Sequence, residues 1–222
     1  MFSWIGRFLS SSIGKKTTMA VTGLLLVGFL VMHLAGNLLL YAGGGAFDGY
    51  AQGLHDLGPL LYVAEAGLVL LFVLHINFAV RTLLENRRAR NSKYAVPADR
   101  GGKTLASSTM PLTGVIVLLF LFWHIVDFRL DGGFKGLFTA ENRGTGAGDF
   151  VWERLSGTAH VAVYLLGVAA LTLHLTHAIR SAFQTLGLRH PRWTPIVDRG
   201  SLVVAFALGL GFASIPFAAA IR

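Results

Sequence analysis

Cysteine is absent from this chain of 222 residues. It can therefore form no disulfide and offer no thiolate to zinc or to an iron–sulfur cluster. The same absence removes redox compartment as a source of inference. Charge is scarce too: Asp, Glu, Lys and Arg make up 14% of the residues, where a soluble domain carries about a quarter. Acidic residues are the scarcer kind, 11 against 19 basic ones, for a formal net charge of +8. What fills the chain is apolar: 54% of residues are hydrophobic and the mean hydropathy is +0.61. One soluble core of this size could not hide so much apolar surface, so a bilayer is the expected solvent. Five spans with their loops use up the length and leave no room for a second, soluble catalytic domain.

Five apolar runs, at about 19–41, 60–80, 110–128, 157–179 and 200–220, have the length needed to cross a hydrocarbon core. They are separated by Gly43-Gly44-Gly45, by the stretch from Glu85 to Lys103, by the Gly- and charge-containing stretch 131–154, and by 187–199 with Pro191 and Pro195. In lipid every backbone group must bond internally, so these runs are expected to be helices. A β-barrel strand would alternate polar and apolar residues, and Leu68-Val69-Leu70-Leu71-Phe72-Val73-Leu74 does not. The expected fold is all-α: residues 1–222 as one integral membrane bundle of five transmembrane helices.

The basic residues divide unevenly between the gaps. Arg7, Lys15, Lys16, Arg81, Arg87, Arg88, Arg90, Lys93, Arg100, Lys103, Arg180, Arg189, Arg192 and Arg199 fall on one side, fourteen in all, and Arg129, Lys135, Arg143, Arg154 and Arg222 on the other. The positive-inside rule places the N-terminus in the cytoplasm and the C-terminus outside. It also gives the charge a topological meaning, and no nucleic-acid partner is expected. Residues 1–18, with Phe2, Trp4, Ile5, Phe8 and Leu9, read as an interfacial segment on the cytoplasmic face. The apolar run that follows is too long for the core of a signal peptide and leads to glycines rather than a cleavage site.

Eight histidines are present. His55 and His190 are expected in loops and His160 near the outer end of the fourth span, all three without a role. His33, His75, His124 and His174 lie well inside four successive spans. A lone histidine there is often only a structural hydrogen-bonding residue, but four in register need another reason. Depth supplies one. His33 and His124 each lie 14 residues past the inner start of an outward-running span, about 21 Å along the helix. His75 and His174 lie 15 and 17 residues into inward-running spans, about 22–26 Å from the outer edge. One pair is thus expected near the outer face and one near the inner face.

Two imidazoles at matching height on separate helices can ligate one haem iron from both sides. Zinc usually takes four protein ligands, or three and a water, and each level offers two. The economical reading is two b-type haems, His33 with His124 holding the outer and His75 with His174 the inner. His177 competes with His174, but its depth matches His75 less well. Thr22-Gly23 precedes His33 by the same spacing as Thr113-Gly114 precedes His124, three helical turns and about 16 Å lower. Gly167 lies seven residues before His174. Such glycines would make room for porphyrin, or would simply pack helices together.

At this point the chain resembles the dihaem cytochrome b membrane-anchor subunit of succinate:quinone oxidoreductase, the type in which one five-helix polypeptide carries both haems. The resemblance runs from about Thr17 through the last span. It is carried by Thr22-Gly23 with Met32-His33-Leu34-Ala35-Gly36-Asn37, by Leu74-His75, by Phe122-Trp123-His124-Ile125-Val126-Asp127-Phe128-Arg129, and by Leu173-His174 through Gly187. It implies the same four axial ligands and a bacterial or archaeal-type cytoplasmic membrane. It also implies flavoprotein and iron–sulfur partner subunits on the cytoplasmic side. Electrons from succinate would pass to membrane quinone, with menaquinone favoured, or run back as fumarate reduction.

Haem propionates want cations or hydroxyls at the membrane edge. Lys15, Lys16, Arg81, Arg180 and His177 are inner-edge candidates and Arg129 an outer-edge one. Glu65, the one carboxylate well inside a span, and Asp127 are candidates for a quinone or proton pathway. Glu65 is expected to be protonated, paired or facing a polar cavity. Asp127 and Arg129 are expected to pair or to face water. Two other readings remain open on sequence: a cytochrome b of another quinone-linked dehydrogenase, and a non-haem proton-coupled transporter with relay histidines. An intramembrane protease lacks a serine facing a histidine at shared depth.

Overall fold

The computed structural model of the chain describes residues 3–43, 45–88, 105–130 and 146–222, and every regular element among them is helical. A short helix α1 (Ser3–Ser10) leads into α2 (Ser12–Leu38), which ends in a 3-10 turn at Leu39–Tyr41. Then follow α3 (Ala46–His55), α4 (Pro59–Arg88), α5 (Leu105–Phe128), α6 (Ala147–Ser156), α7 (Thr158–Thr185) and α8 (Thr194–Ile221). Five of these, α2, α4, α5, α7 and α8, are long and apolar enough to cross a membrane. The chain is an all-α, multi-pass membrane bundle.

Each expected span overlaps one long helix, but the helices run further. The 30 residues of α4 extend about 45 Å, beyond a hydrocarbon core about 30 Å thick. Hydropathy marks only the lipid-covered part, and good helix formers such as Leu83, Leu84 and Glu85 carry the helix on. At the other end of the bundle's first helix, the Ser11 hydroxyl accepts the Gly14 N–H at 3.0 Å and caps α2. The first helical span therefore starts within the segment expected to be interfacial, and α1 occupies the remainder. Phe2 and the basic positions Arg90 to Lys103 lie outside the described residues, as does 131–145 of the expected loop 131–154.

Two short helices stand where loops were expected. Helix α3 follows Gly43 and Gly45, both at positive φ, and His55 closes it rather than lying in a loop. Helix α6 fills the end of the 131–154 stretch. The Asp48 carboxylate accepts the Gly148 N–H at 2.7 Å, tying α3 to the first turn of α6, where unpaired N–H groups favour an anion. Helix α7 stops at Gly187, which takes φ 75°. The Leu188 N–H then reaches back to the Phe183 carbonyl at 3.0 Å, a Schellman termination.

Helix α7 is central. It packs on α8, α5 and α2; α2 in turn packs on α4. The order across the bundle is thus α4, α2, α7, α5, with α8 behind. Leu175, Ile179, Ala205 and Leu208 form the core that joins α7 to α8, and Leu24, Val27, Leu30 and Leu34 of α2 pack onto it. Small residues allow the close approach: Gly209 lies against Thr172, and Gly211 against Leu34. A second core, Leu40, Val151, Leu155, Tyr164, Ile215 and Ala219, lies at the end where α3 and α6 cover the bundle. Apolar side chains such as Met32, Leu119, Val203 and Leu210 are exposed, as a lipid-facing surface requires.

Candidate functional site

The order α4, α2, α7, α5 separates each expected histidine pair by one intervening helix. His33 on α2 and His124 on α5 nevertheless meet, with ring centres 5.8 Å apart and planes at 84°. A metal-bound imidazole nitrogen lies about 2 Å from its metal, so two rings sharing one metal stand roughly 6 Å apart centre to centre. The surroundings are aromatic. Phe29 stacks on His33 at 5.3 Å and Phe212 of α8 stands 5.7 Å from it. Phe120 and Phe128 lie 6.0 and 5.3 Å from His124.

His75 on α4 and His174 on α7 form the second level, near the end of the bundle that holds α1. Each ring rests on a glycine of a neighbouring helix. A Cβ at Gly23 of α2 would come 3.0 Å from Cε1 of His75, and one at Gly114 of α5 would come 3.5 Å from Cε1 of His174. His75 Nδ1 lies 3.1 Å from the Met19 carbonyl, which can only accept, so Nδ1 carries the proton and Nε2 the lone pair. Thr22-Gly23 and Thr113-Gly114 thus make room for imidazoles. Gly167 receives the Phe120 ring, so its space goes to an aromatic beside His124.

His174 faces Thr113 at 3.2 Å. His177, three residues on, has a buried Nδ1 with no hydrogen-bond partner, as does the hydroxyl of Thr82, seven residues past His75. Two orphaned polar atoms on α4 and α7, both beyond the near-level pair, suit an anionic group reaching toward the membrane edge. Thr82 was not legible in the sequence. A helical threonine usually bonds its own i−4 carbonyl, and nothing in the residue order marks one that does not.

The cations are placed unevenly. Lys15 is buried and paired with Glu85. Arg180 stands 3.8 Å from Asp198, which also takes Arg189 at 3.2 Å. Lys16 and Arg81 are exposed. At the far level, Arg129 and Asp127 do not pair with each other. Arg129 donates to Glu65 at 2.9 Å, so Glu65 takes the paired form among its expected alternatives. Asp127 is buried and accepts from the Tyr164 hydroxyl at 3.0 Å. His160, expected without a role, brings Nε2 to 3.5 Å of the same carboxylate. The Tyr164 oxygen also stands 3.4 Å from His124 Nδ1. Helix phase allowed each of these residues to face the bundle, but only packing decided the partners.

Among the described residues no group of three or more His, Cys, Asp or Glu converges on a point that could hold a bare metal ion. Two imidazoles per level suit a metal whose remaining positions are filled by a macrocycle, which is the donor set of a bis-histidine haem. With glycines under the rings of one pair, ring centres 5.8 Å apart at the other and orphaned polar atoms toward the edge, the residues fit that group. No protein-family model matches the chain, and comparison with curated proteins and with solved structures gives no match.

Proposed function

We propose that this chain is a membrane-embedded cytochrome b subunit that carries two b-type haems and moves electrons between an iron–sulfur partner and membrane quinone. The carrying observation is the approach of His33 and His124 to 5.8 Å between ring centres, although their helices are separated by α7. In this reading His33 and His124 hold one haem, and His75 and His174 the other. Bound haem supplies reversible one-electron storage. The chain supplies position and environment. The two levels are eleven residues apart on α2 and α5, about 16 Å, so together they bridge much of a core about 30 Å thick. Phe29, Phe120, Phe128 and Phe212 keep water from the far pair. Thr82 and His177, whose buried polar atoms lack partners, would meet the charged groups of the near-level haem, with Lys16 and Arg81 at the surface.

The sequence resemblance extends the proposal to the anchor subunit of succinate:quinone oxidoreductase. Its flavoprotein and iron–sulfur subunits would dock on the cytoplasmic side, at the basic ends of the helices, in a bacterial or archaeal cytoplasmic membrane. Menaquinone is the favoured quinone. Affinity purification of the chain from its native membrane tests this directly. The expected complex contains flavin, iron–sulfur clusters and two haems, and succinate reduces its haems. A haem-loaded complex that responds to hydrogen or formate but not succinate would move the chain to another quinone-linked dehydrogenase.

A further inference from the structure

We infer that Thr22 and Thr113 are positioning residues for the near-level histidines, fixing His75 and His174 with the proton on Nδ1 and the Nε2 lone pair available to a metal. This rests on the haem reading above and deepens it. A neutral imidazole has one protonated and one bare nitrogen, and its hydrogen-bond partners decide which is which. Each threonine hydroxyl has a single proton to give. That of Thr22 goes to the Thr18 carbonyl at 2.8 Å or the Met19 carbonyl at 3.1 Å. That of Thr113 goes to the Thr109 carbonyl at 3.2 Å or the Met110 carbonyl at 3.1 Å. A hydroxyl whose proton is spent along its own helix can only accept from the ring it faces. The atoms facing those oxygens are His75 Nδ1 at 3.4 Å and His174 Nδ1 at 3.2 Å. On this assignment both imidazoles donate from Nδ1. For His75 the Met19 carbonyl gives the same answer independently.

The glycine after each threonine completes the device, because it lets the helix backbone come up to the ring edge. Helices α2 and α5 carry the same module in the same order. A Thr-Gly pair serves a histidine on the neighbouring helix, and the helix's own histidine follows eleven residues after the threonine. The far level is held otherwise. His124 faces the Tyr164 oxygen, whose proton goes to Asp127. His33 faces the Asn37 amide nitrogen, 3.5 and 3.4 Å from its two ring nitrogens.

A hydrogen bond from Nδ1–H makes the ring a more basic ligand, which favours ferric over ferrous iron and lowers the potential. His75 has two acceptors and His174 one, so the Thr113 hydroxyl matters more than that of Thr22. The test uses the haem-loaded full chain with Thr113→Val, Thr113→Ser and Thr22→Val, read by optical redox titration and by the low-spin EPR signals of ferric haem. Thr113→Val should move one haem to a more positive potential and displace its EPR line, leaving the other haem in place. Thr113→Ser should restore both readouts, and Thr22→Val should shift the same haem by less. Loss of one haem from the valine variant but not the serine variant also supports the role. Unchanged titration in Thr113→Val, or equal effects of valine and serine, would overturn it. A wild-type chain lacking two haems would overturn the cytochrome reading itself, before any variant is compared.

Discussion

At the residue scale the four histidines and their supports make different demands. In the proposed pairing His33→Ala or His124→Ala should each cost the same haem, leaving about one per chain, because both imidazoles would hold the same iron. His75→Ala and His174→Ala should each cost the other haem. Haem extraction and quantitation per protein checks this, and loss of one haem by both His33→Ala and His75→Ala would refute the pairing. The glycine cradles give a finer contrast. A methyl at Gly23 would press on the His75 ring at 3.0 Å, while one at Gly114 would sit at ordinary contact, 3.5 Å from His174. Gly23→Ala should therefore disturb the spectrum or occupancy of the near-level haem, and Gly114→Ala should leave it close to wild type. Matched spectra of the two variants check the contrast, and the reverse order would mean that the glycines do not seat the rings. The depths of the histidines were legible because helical depth follows from counting residues, but the neighbours of the glycines were not: Gly23 and Gly114 face imidazoles and Gly167 the Phe120 ring. The Glu65–Arg129 pair was not, since its members lie 64 positions apart and only packing brings them together.

At the scale of elements, the five long helices were legible from hydropathy, and their true ends were not. Lipid-buried length is written in apolar residues; the projecting turns are set by caps such as Ser11 and stops such as Gly187. Helices α3 and α6 escaped because they are short, rich in Gly and polar residues, and dependent on each other through Asp48. Asp48→Ala should loosen that join and cost about 1 kcal/mol, as loss of a helix cap usually does. The contact between α7 and α8 is the stiffest test of packing. A Cβ at Gly209 would overlap the Thr172 side chain, so Gly209→Ala should destabilise the bundle by about 1–3 kcal/mol. Adding Thr172→Ala should recover part of that loss. Thermal unfolding in detergent reads both effects, and an unchanged midpoint in the single variant would contradict the packing described.

At the scale of the whole molecule, five spanning helices put the two chain ends on opposite sides of the membrane, and the excess of Lys and Arg expects the N-terminal side to be cytoplasmic. The absence of native cysteine makes this simple to check. A membrane-impermeant maleimide should label Arg222→Cys in intact cells and Ser3→Cys only after the membrane is opened. Labelling in the reverse order would invert the bundle and exchange the inner and outer levels. The most direct test of the central claim is haem content and reduced-minus-oxidised absorption of the pure full-length chain. Two b-type haems per chain, with sharp reduced α-bands, is the predicted result. A colourless chain folded with all five helices would contradict it, and its four half-buried histidines would then need a proton-carrying role.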